Sequence, residues 1–415
     1  MSMDTETMTA PNQAVPNAEL AWRHRRCRDA LAVAAPTAGG LLVFSPRNLY
    51  YLAGTLATGL MWLPREGEPV LLCRRGLERA RLESPLTRII SFRSFRDLPG
   101  LLAGAGSPLT ATAAAETGGI SWALGDVVRA HLAGTALVPG DRALAAAREV
   151  KSPWELERMR RAGAAHGRAL GEFLPARIRP GMSEREIAGM LSEVLWELGN
   201  LGVPRMENSG ESAFFSLVAA GEHGNHPVAF NGPVGLRGEH PSMPHLGHAG
   251  TRWRPGEPLV VDAGFVVEGY HTDKTQVYFA GSAEQIPAAA ARAHEFCVQV
   301  QGWCAERLRP GGIPSALAAH CFAWAEREGL AEGFMALGGN QVNFLGHGIG
   351  LALDETPVLA KGFDAPLEAG MTIAVEPKIG IPGFGMVGLE NTFEVTPEGG
   401  RSLTGTATGI ICIGG

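Results

Sequence analysis

Leu259-Val260-Val261-Asp262-Ala263-Gly264 and, past Gly269, Tyr270-His271-Thr272-Asp273 make up the stretch whose reading decides the fold. The apolar run into Asp262 reads as a buried strand, and the return through His271 makes it one arm of a hairpin. Such a hairpin sets Asp262 and Asp273 side by side, which is unfavourable for like charges unless a cation stands between them. A second acidic hairpin follows. Residues 373–375 lead into Glu376, a turn rich in glycine passes through Gly380, Gly383 and Gly385, and the chain returns to Glu390 at the head of a strand over 392–395. Between the hairpins lies Gly346-His347-Gly348-Ile349-Gly350, where the glycines let backbone approach an imidazole closely.

Outward from these hairpins the chain repeats itself. Arg179-Pro180-Gly181 opens a predicted helix ending at Gly199, and Arg309-Pro310-Gly311 opens another ending at Gly329, each spanning twenty positions. Gly256 precedes Asp262 by six residues, as Gly370 precedes Glu376. Two matching halves therefore each present a carboxylate at the same place, which points to a pseudo-twofold site between them. Upstream, Ser152-Pro153-Trp154-Glu155 has the N-cap Ser, first-turn Pro and returning Glu of a capping box, so a new domain is expected to start there. Before it, strands are expected over 39–44, 70–72 and 88–92 and a helix over 120–132, enough for a separate layered sheet. The expected architecture is α/β (α+β), with a disordered tail over 1–18, an N-terminal domain over 19–147 and a catalytic domain over 148–415.

Composition narrows the function. The chain has 415 residues, 45% of them hydrophobic and 19% charged, which suffices for a substantial core. A formal charge of −6 argues against nucleic acid or an acidic membrane as partner, and no apolar run reaches the length of a membrane span. Six cysteines without a CxxC pair read as reduced thiols, so a cytoplasmic location is expected.

Taken singly, an acid at a hairpin end is usually a turn or surface residue, and a histidine between glycines usually a loop residue. Five such residues at positions related by the repeat are another matter. Asp262, Asp273, His347, Glu376 and Glu390 form a hard, oxygen-rich set suited to two divalent ions bridged by carboxylates, Mn²⁺ or Co²⁺ first and Zn²⁺ or Fe²⁺ after them.

On these residues the sequence resembles the pita-bread metallopeptidases, the family of methionine aminopeptidase, aminopeptidase P, prolidase and creatinase. Val261-Asp262-Ala263-Gly264 through Asp273-Lys274-Thr275 resembles its first ligand hairpin, His347 lies in its HGIG motif, Glu376-Pro377 matches its EP motif and Glu390 begins its last ligand strand. Asn48-Leu49-Tyr50-Tyr51-Leu52-Ala53-Gly54 and Val150-Lys151-Ser152 resemble the N-terminal domain and linker of the prolidase, aminopeptidase P and creatinase branch. The resemblance implies a catalytic domain of pita-bread fold, a homodimer, Glu376 as the proton carrier, and His245, after Pro244, as the group contacting substrate or the tetrahedral oxyanion.

Three positions leave the pattern. The family's prolidases and aminopeptidases P carry a second His where this chain has Asp354, an Arg where it has Gly388, and an Arg where it has Gln276. With that positive charge missing, either the substrate carboxylate is held differently or Asp354 binds a cationic substrate group. Asp354 could equally cap a turn with Thr356-Pro357. The expected function is dinuclear metal-dependent hydrolysis of an amide bond in short peptides, of the Xaa-Pro dipeptidase or aminopeptidase P type. Two alternatives stand beside it: a family member acting on a small amide, C–N bond or zwitterion, and a catalytically inert binding protein, which would be expected to have lost ligands.

Overall fold

The computed structural model describes residues 14–202, 204–207 and 216–414. Its chain divides into two compact units between Arg148 and Glu149. Of the tail expected over 1–18, residues 1–13 lie outside the described residues, and a helix already begins at Asn17 (Asn17–Ala34).

In the first unit a six-stranded mixed sheet is centred on Gly40–Val43, which pairs antiparallel with Thr58–Pro64 and parallel with Thr112–Ala115. Val70–Arg75 and Ile89–Ser91 extend one side and Ala136–Pro139 the other. The three strands expected here are present. Ser121 caps the helix Trp122–His131 by accepting from the Leu124 N–H. Leu42, Trp62, Leu72 and Leu98 are wholly buried in one apolar cluster over the sheet, which is what a small layered unit needs for stability.

The second unit opens as the capping box demands. The Glu155 N–H donates to Ser152 Oγ at 3.1 Å, and the Ser152 N–H donates to Glu155 Oε2 at 2.8 Å, starting the helix Pro153–Arg168. The repeat is then visible in space: Glu184–Glu197 and Pro314–Arg327 are both helices of 14 residues, followed by Gly199 and Gly329 in the left-handed region. Gly256 and Gly370 share a positive φ ahead of their strands, Pro258–Val267 and Thr372–Val375. One half contributes a four-stranded sheet in the order 411–413, 270–280, 258–267, 216–220. The other contributes a five-stranded sheet in the order 355–360, 344–348, 372–375, 391–396, 399–402. A reciprocal bridge joins them: the Thr275 N–H donates to Glu390 O and the Glu390 N–H to Thr275 O, both at 3.3 Å. Each half buries its own apolar cluster, Leu191, Trp253 and Phe265 in one and Leu345, Ile373 and Val387 in the other. All six cysteines are free thiols.

His166 is wholly buried in this unit, with Nδ1 at 3.2 Å from Thr272 Oγ1 and Nε2 without a partner among the described residues. Burial, helped by the charge of Lys274, pushes its pKa down from 6.5 to about 3. Between those values the unfolded chain takes up a proton that the folded protein refuses. Stability is therefore full above the unfolded value and falls as pH drops, by about 1.4 kcal/mol per pH unit from this group. His166→Gln is expected to flatten the decline of the urea midpoint between pH 6.5 and 4.5; an unchanged slope would remove His166 as its source.

Candidate metal centre

The two aspartates arise from one ladder. Asp262 pairs with Thr275 and Asp273 with Gly264, so the carboxylates share a face as diagonal neighbours, offset by two residues along the ladder. The hairpin closes through Glu268 and Gly269, both at positive φ, as a two-residue primed turn requires. The strand also runs past Asp262 to Val267 instead of ending there.

His347 lies on Phe344–Gly348, between Thr372–Val375 and Glu355–Ala360. Its flanking glycines answer a packing demand. A Cβ on Gly346 would come within 2.1 Å of Ala374 O, and one on Gly348 within 2.3 Å of Thr356 O. Glu376 follows Val375 immediately and Glu390 precedes Asn391, and Val375 pairs with Asn391, so both acids leave the ladder at the same end.

These five side chains converge. Donor atoms of Asp273, His347 and Glu390 lie within 4.8 Å of one another. His347 Nε2 is 3.5 Å from Glu376 Oε1 and 3.8 Å from Glu390 Oε1. Asp262 joins through a residue that sequence reasoning missed: the ammonium of Lys378 is 2.8 Å from Glu376 Oε2, 2.8 Å from Glu390 Oε2 and 3.5 Å from Asp262 Oδ2. Its sequence mark, a lysine in an apolar strand two residues after Glu376, does not say which way the side chain faces. Thr275 Oγ1 also donates to Glu390 Oε2, at 3.0 Å.

Burial raises the carboxyl of Asp262 to about 6 against the opposing pull of Lys378. Burial and then the neighbouring Glu390 hold Asp273 well above its ordinary value, and burial with Glu376 raises Glu390. For Lys378 burial works downward, but the fields of Asp262, Glu376 and Glu390 prevail and hold its pKa well above that of a free lysine. His347 is likewise raised, its burial outweighed by Glu376 and Glu390. These are the directions of a cluster short of positive charge, a condition that a divalent cation relieves. The donor set fits such an ion, and Glu390 Oε1 is buried with no hydrogen-bond partner among the described residues, as a ligand oxygen would be.

A sequence profile of metallopeptidase family M24 matches residues 157–397, which contain all five of these residues. The chain belongs to metallopeptidase family M24. The creatinase/prolidase N-terminal domain matches residues 23–150. The chain is 29% identical over 403 residues to a probable dipeptidase PepE of Mycobacterium tuberculosis, covering 93% of this chain and 96% of that protein. It is 24% identical to an Xaa-Pro dipeptidase of Pyrococcus furiosus over 88% of this chain and 93% of that one. In fold it resembles the Xaa-Pro dipeptidase of Bacillus anthracis, with a TM-score of 0.77 at 21% identity over 95% of this chain and 100% of that one.

The positions where this M24 chain leaves the expected pattern have local explanations. Gly388 has φ +128 and pairs with Lys378, and a Cβ there would come within 2.4 Å of Pro377 O, so no side chain fits. The missing cation at 388 is matched by a lysine directly across the ladder. Gln276 is turned to structure: its Nε2 donates to Gly409 O and Val277 O, each at 2.9 Å. Lys274 adds a second buried ammonium, which donates to Asn391 Oδ1 at 2.6 Å; burial lowers its pKa to about 8 against the opposing pull of Glu390. Asp354 Oδ1 accepts from the Glu207 N–H at 2.7 Å, holding that segment, and its charge also acts on His347. The His245 ring stacks on Phe230 with centroids 6.3 Å apart, and its buried Nδ1 has no hydrogen-bond partner among the described residues.

Proposed function

We propose that the protein hydrolyses short peptides at Xaa-Pro bonds, as a dipeptidase or an aminopeptidase P-like enzyme, with Asp262, Asp273, His347, Glu376 and Glu390 as its metal ligands. The observation that supports this reading is the buried convergence of the five, Asp273, His347 and Glu390 within 4.8 Å of one another, Glu376 against His347, and Asp262 through Lys378, with Glu390 Oε1 lacking a hydrogen bond among the described residues. The ion is Mn²⁺ or Co²⁺ before Zn²⁺ or Fe²⁺, in keeping with four carboxylates and one imidazole. The likeness to proteins named dipeptidases favours a peptide over a small zwitterion or other small amide.

A bound divalent ion supplies Lewis acidity and water ionised near neutral pH. The chain's own residues do the rest. Glu376, with Oε2 fixed by Lys378 and Oε1 turned toward His347, takes the proton of the attacking water and passes it to the leaving nitrogen. Burial lowers the pKa of His245, and a ring N–H of this residue donates to the tetrahedral oxyanion. Domains over 19–147 and 148–415, a cytoplasmic location and a homodimer complete the proposal; light scattering at twice the chain mass would support the dimer.

The deciding experiment is a panel of Xaa-Pro dipeptides, longer Xaa-Pro peptides and small zwitterions offered to Mn²⁺-loaded protein. Turnover of the peptides is expected, and turnover of the zwitterions alone would overturn the peptidase reading. Asp354 is proposed to act on the substrate as well as on Glu207. Asp354→Asn keeps an acceptor oxygen for the Glu207 N–H but loses the charge, so it is expected to raise kcat/KM for an Xaa-Pro dipeptide relative to its C-terminal amide, by up to about tenfold if one like-charge repulsion is removed. An unchanged ratio would confine Asp354 to holding the 205–207 segment.

A further inference from the structure

We propose that the ammonium of Lys378 stands in for one of the two cations of this centre, so that the protein binds one divalent ion per chain. This rests on the metallopeptidase reading above and corrects its expectation of two ions.

Lys378 is wholly buried, and the three N–H bonds of its ammonium face three carboxylates, those of Asp262, Glu376 and Glu390. The carboxylates divide their oxygens accordingly. Glu376 gives Oε2 to Lys378 and turns Oε1 toward His347, and Glu390 gives Oε2 to Lys378 while its Oε1 faces His347 with no hydrogen bond. Each glutamate therefore turns one oxygen to Lys378 and the other toward His347, so that two cation positions lie side by side. One of these is filled by Nζ and has Asp262 as its further ligand. The other is bounded by Asp273, His347 and Glu390, whose donor atoms lie within 4.8 Å of one another.

The backbone fixes this arrangement. Lys378 begins a two-stranded ladder opposite Gly388, where the two backbones approach too closely for any Cβ. An ammonium at 2.8 Å from two carboxylate oxygens occupies the space that an ion, at roughly 2.0–2.2 Å from the same oxygens, would need. Four carboxylates with the ammonium of Lys378, the buried ammonium of Lys274, whose charge acts on Glu390, and one dication sum to zero, whereas a second dication would leave a surplus of positive charge against the Lys378 ammonium.

The test is a metal count on the full chain, stripped with chelator, loaded with excess MnCl₂, desalted and assayed by elemental analysis, alongside electron paramagnetic resonance of the same sample. One Mn²⁺ per chain with the spectrum of an isolated ion is expected for the wild type. Two per chain, or the spectrum of an exchange-coupled pair, would overturn the inference and leave the metallopeptidase reading intact. No Mn²⁺ bound to folded protein would overturn that reading as well. Lys378→Met, which keeps the side-chain length without the charge, is expected to double the count to two, and a count still at one in the folded variant would overturn the assignment to Lys378. Should the variant fail to fold, the wild-type count and spectrum decide alone.

Discussion

Replacing Glu376 by Gln is expected to lower kcat on an Xaa-Pro peptide by about 10²–10⁴-fold, the usual cost of losing a general base. The substitution hardly changes side-chain volume, and the amide oxygen can still accept the hydrogen bond that Lys378 donates at 2.8 Å. What it removes is the proton acceptor and one negative charge facing His347, whose Nε2 lies 3.5 Å from Glu376 Oε1. Folding should survive, because Glu376 is held by polar contacts at the ladder's end and not by packing in the apolar cluster of its half. The measurement pairs steady-state rates with metal content and thermal midpoint. Wild-type rates in a folded, metal-loaded Glu376→Gln protein would exclude the role proposed for this carboxylate, whereas a parallel loss of metal would make Glu376 chiefly a ligand.

The five converging residues were legible in sequence because Asp262 and Glu376 follow apolar runs at the same distance from a glycine in each half, and because Asp273, His347 and Glu390 stand beside recognisable turns and glycines. Hydrophobic pattern and turn chemistry suffice to put such residues on strands or at their ends. The cap at Ser152, the paired helices and the hairpins followed from the same local rules. Lys378 did not. Whether a lysine in a strand faces solvent or a carboxylate cluster depends on strand register, and register is a property of the pairing, Lys378 with Gly388, which no local signal contains. Gln276 shows the same limit: its position suggested a lost substrate contact, yet its amide is spent on Gly409, 133 residues away in the chain. Thr58–Pro64, a central strand of the first unit, escaped because Gly59 interrupts its start and the remaining run Leu60-Met61-Trp62-Leu63 is apolar without alternation, which a short buried helix would share.

Gly388→Ala is expected to be among the most destabilising single-methyl changes in the second unit. The residue has φ +128, outside the range of ordinary L-residues, and its added Cβ would meet Pro377 O at 2.4 Å and Lys378 Cα at 2.6 Å, both backbone atoms that cannot swing aside. The backbone conformation costs about 1–3 kcal/mol and the overpacking about 1–3 kcal/mol more. Gly383, in the turn of the same hairpin, supplies the control: it has φ +75 but nothing within 4 Å of its would-be Cβ, so Gly383→Ala should cost only the left-handed penalty of about 1–2 kcal/mol. At roughly 2–4 °C per kcal/mol, the two thermal midpoints should differ by several degrees, with Gly388→Ala the lower. That difference isolates the close approach of the Gly388 backbone to Pro377 and Lys378. It would also explain why an arginine is absent from position 388: a side chain there and a lysine reaching the carboxylates from position 378 make incompatible demands on one ladder. Equal, small losses in both variants would mean that the strands part easily, and the glycine at 388 would then need a reason other than the seating of Lys378.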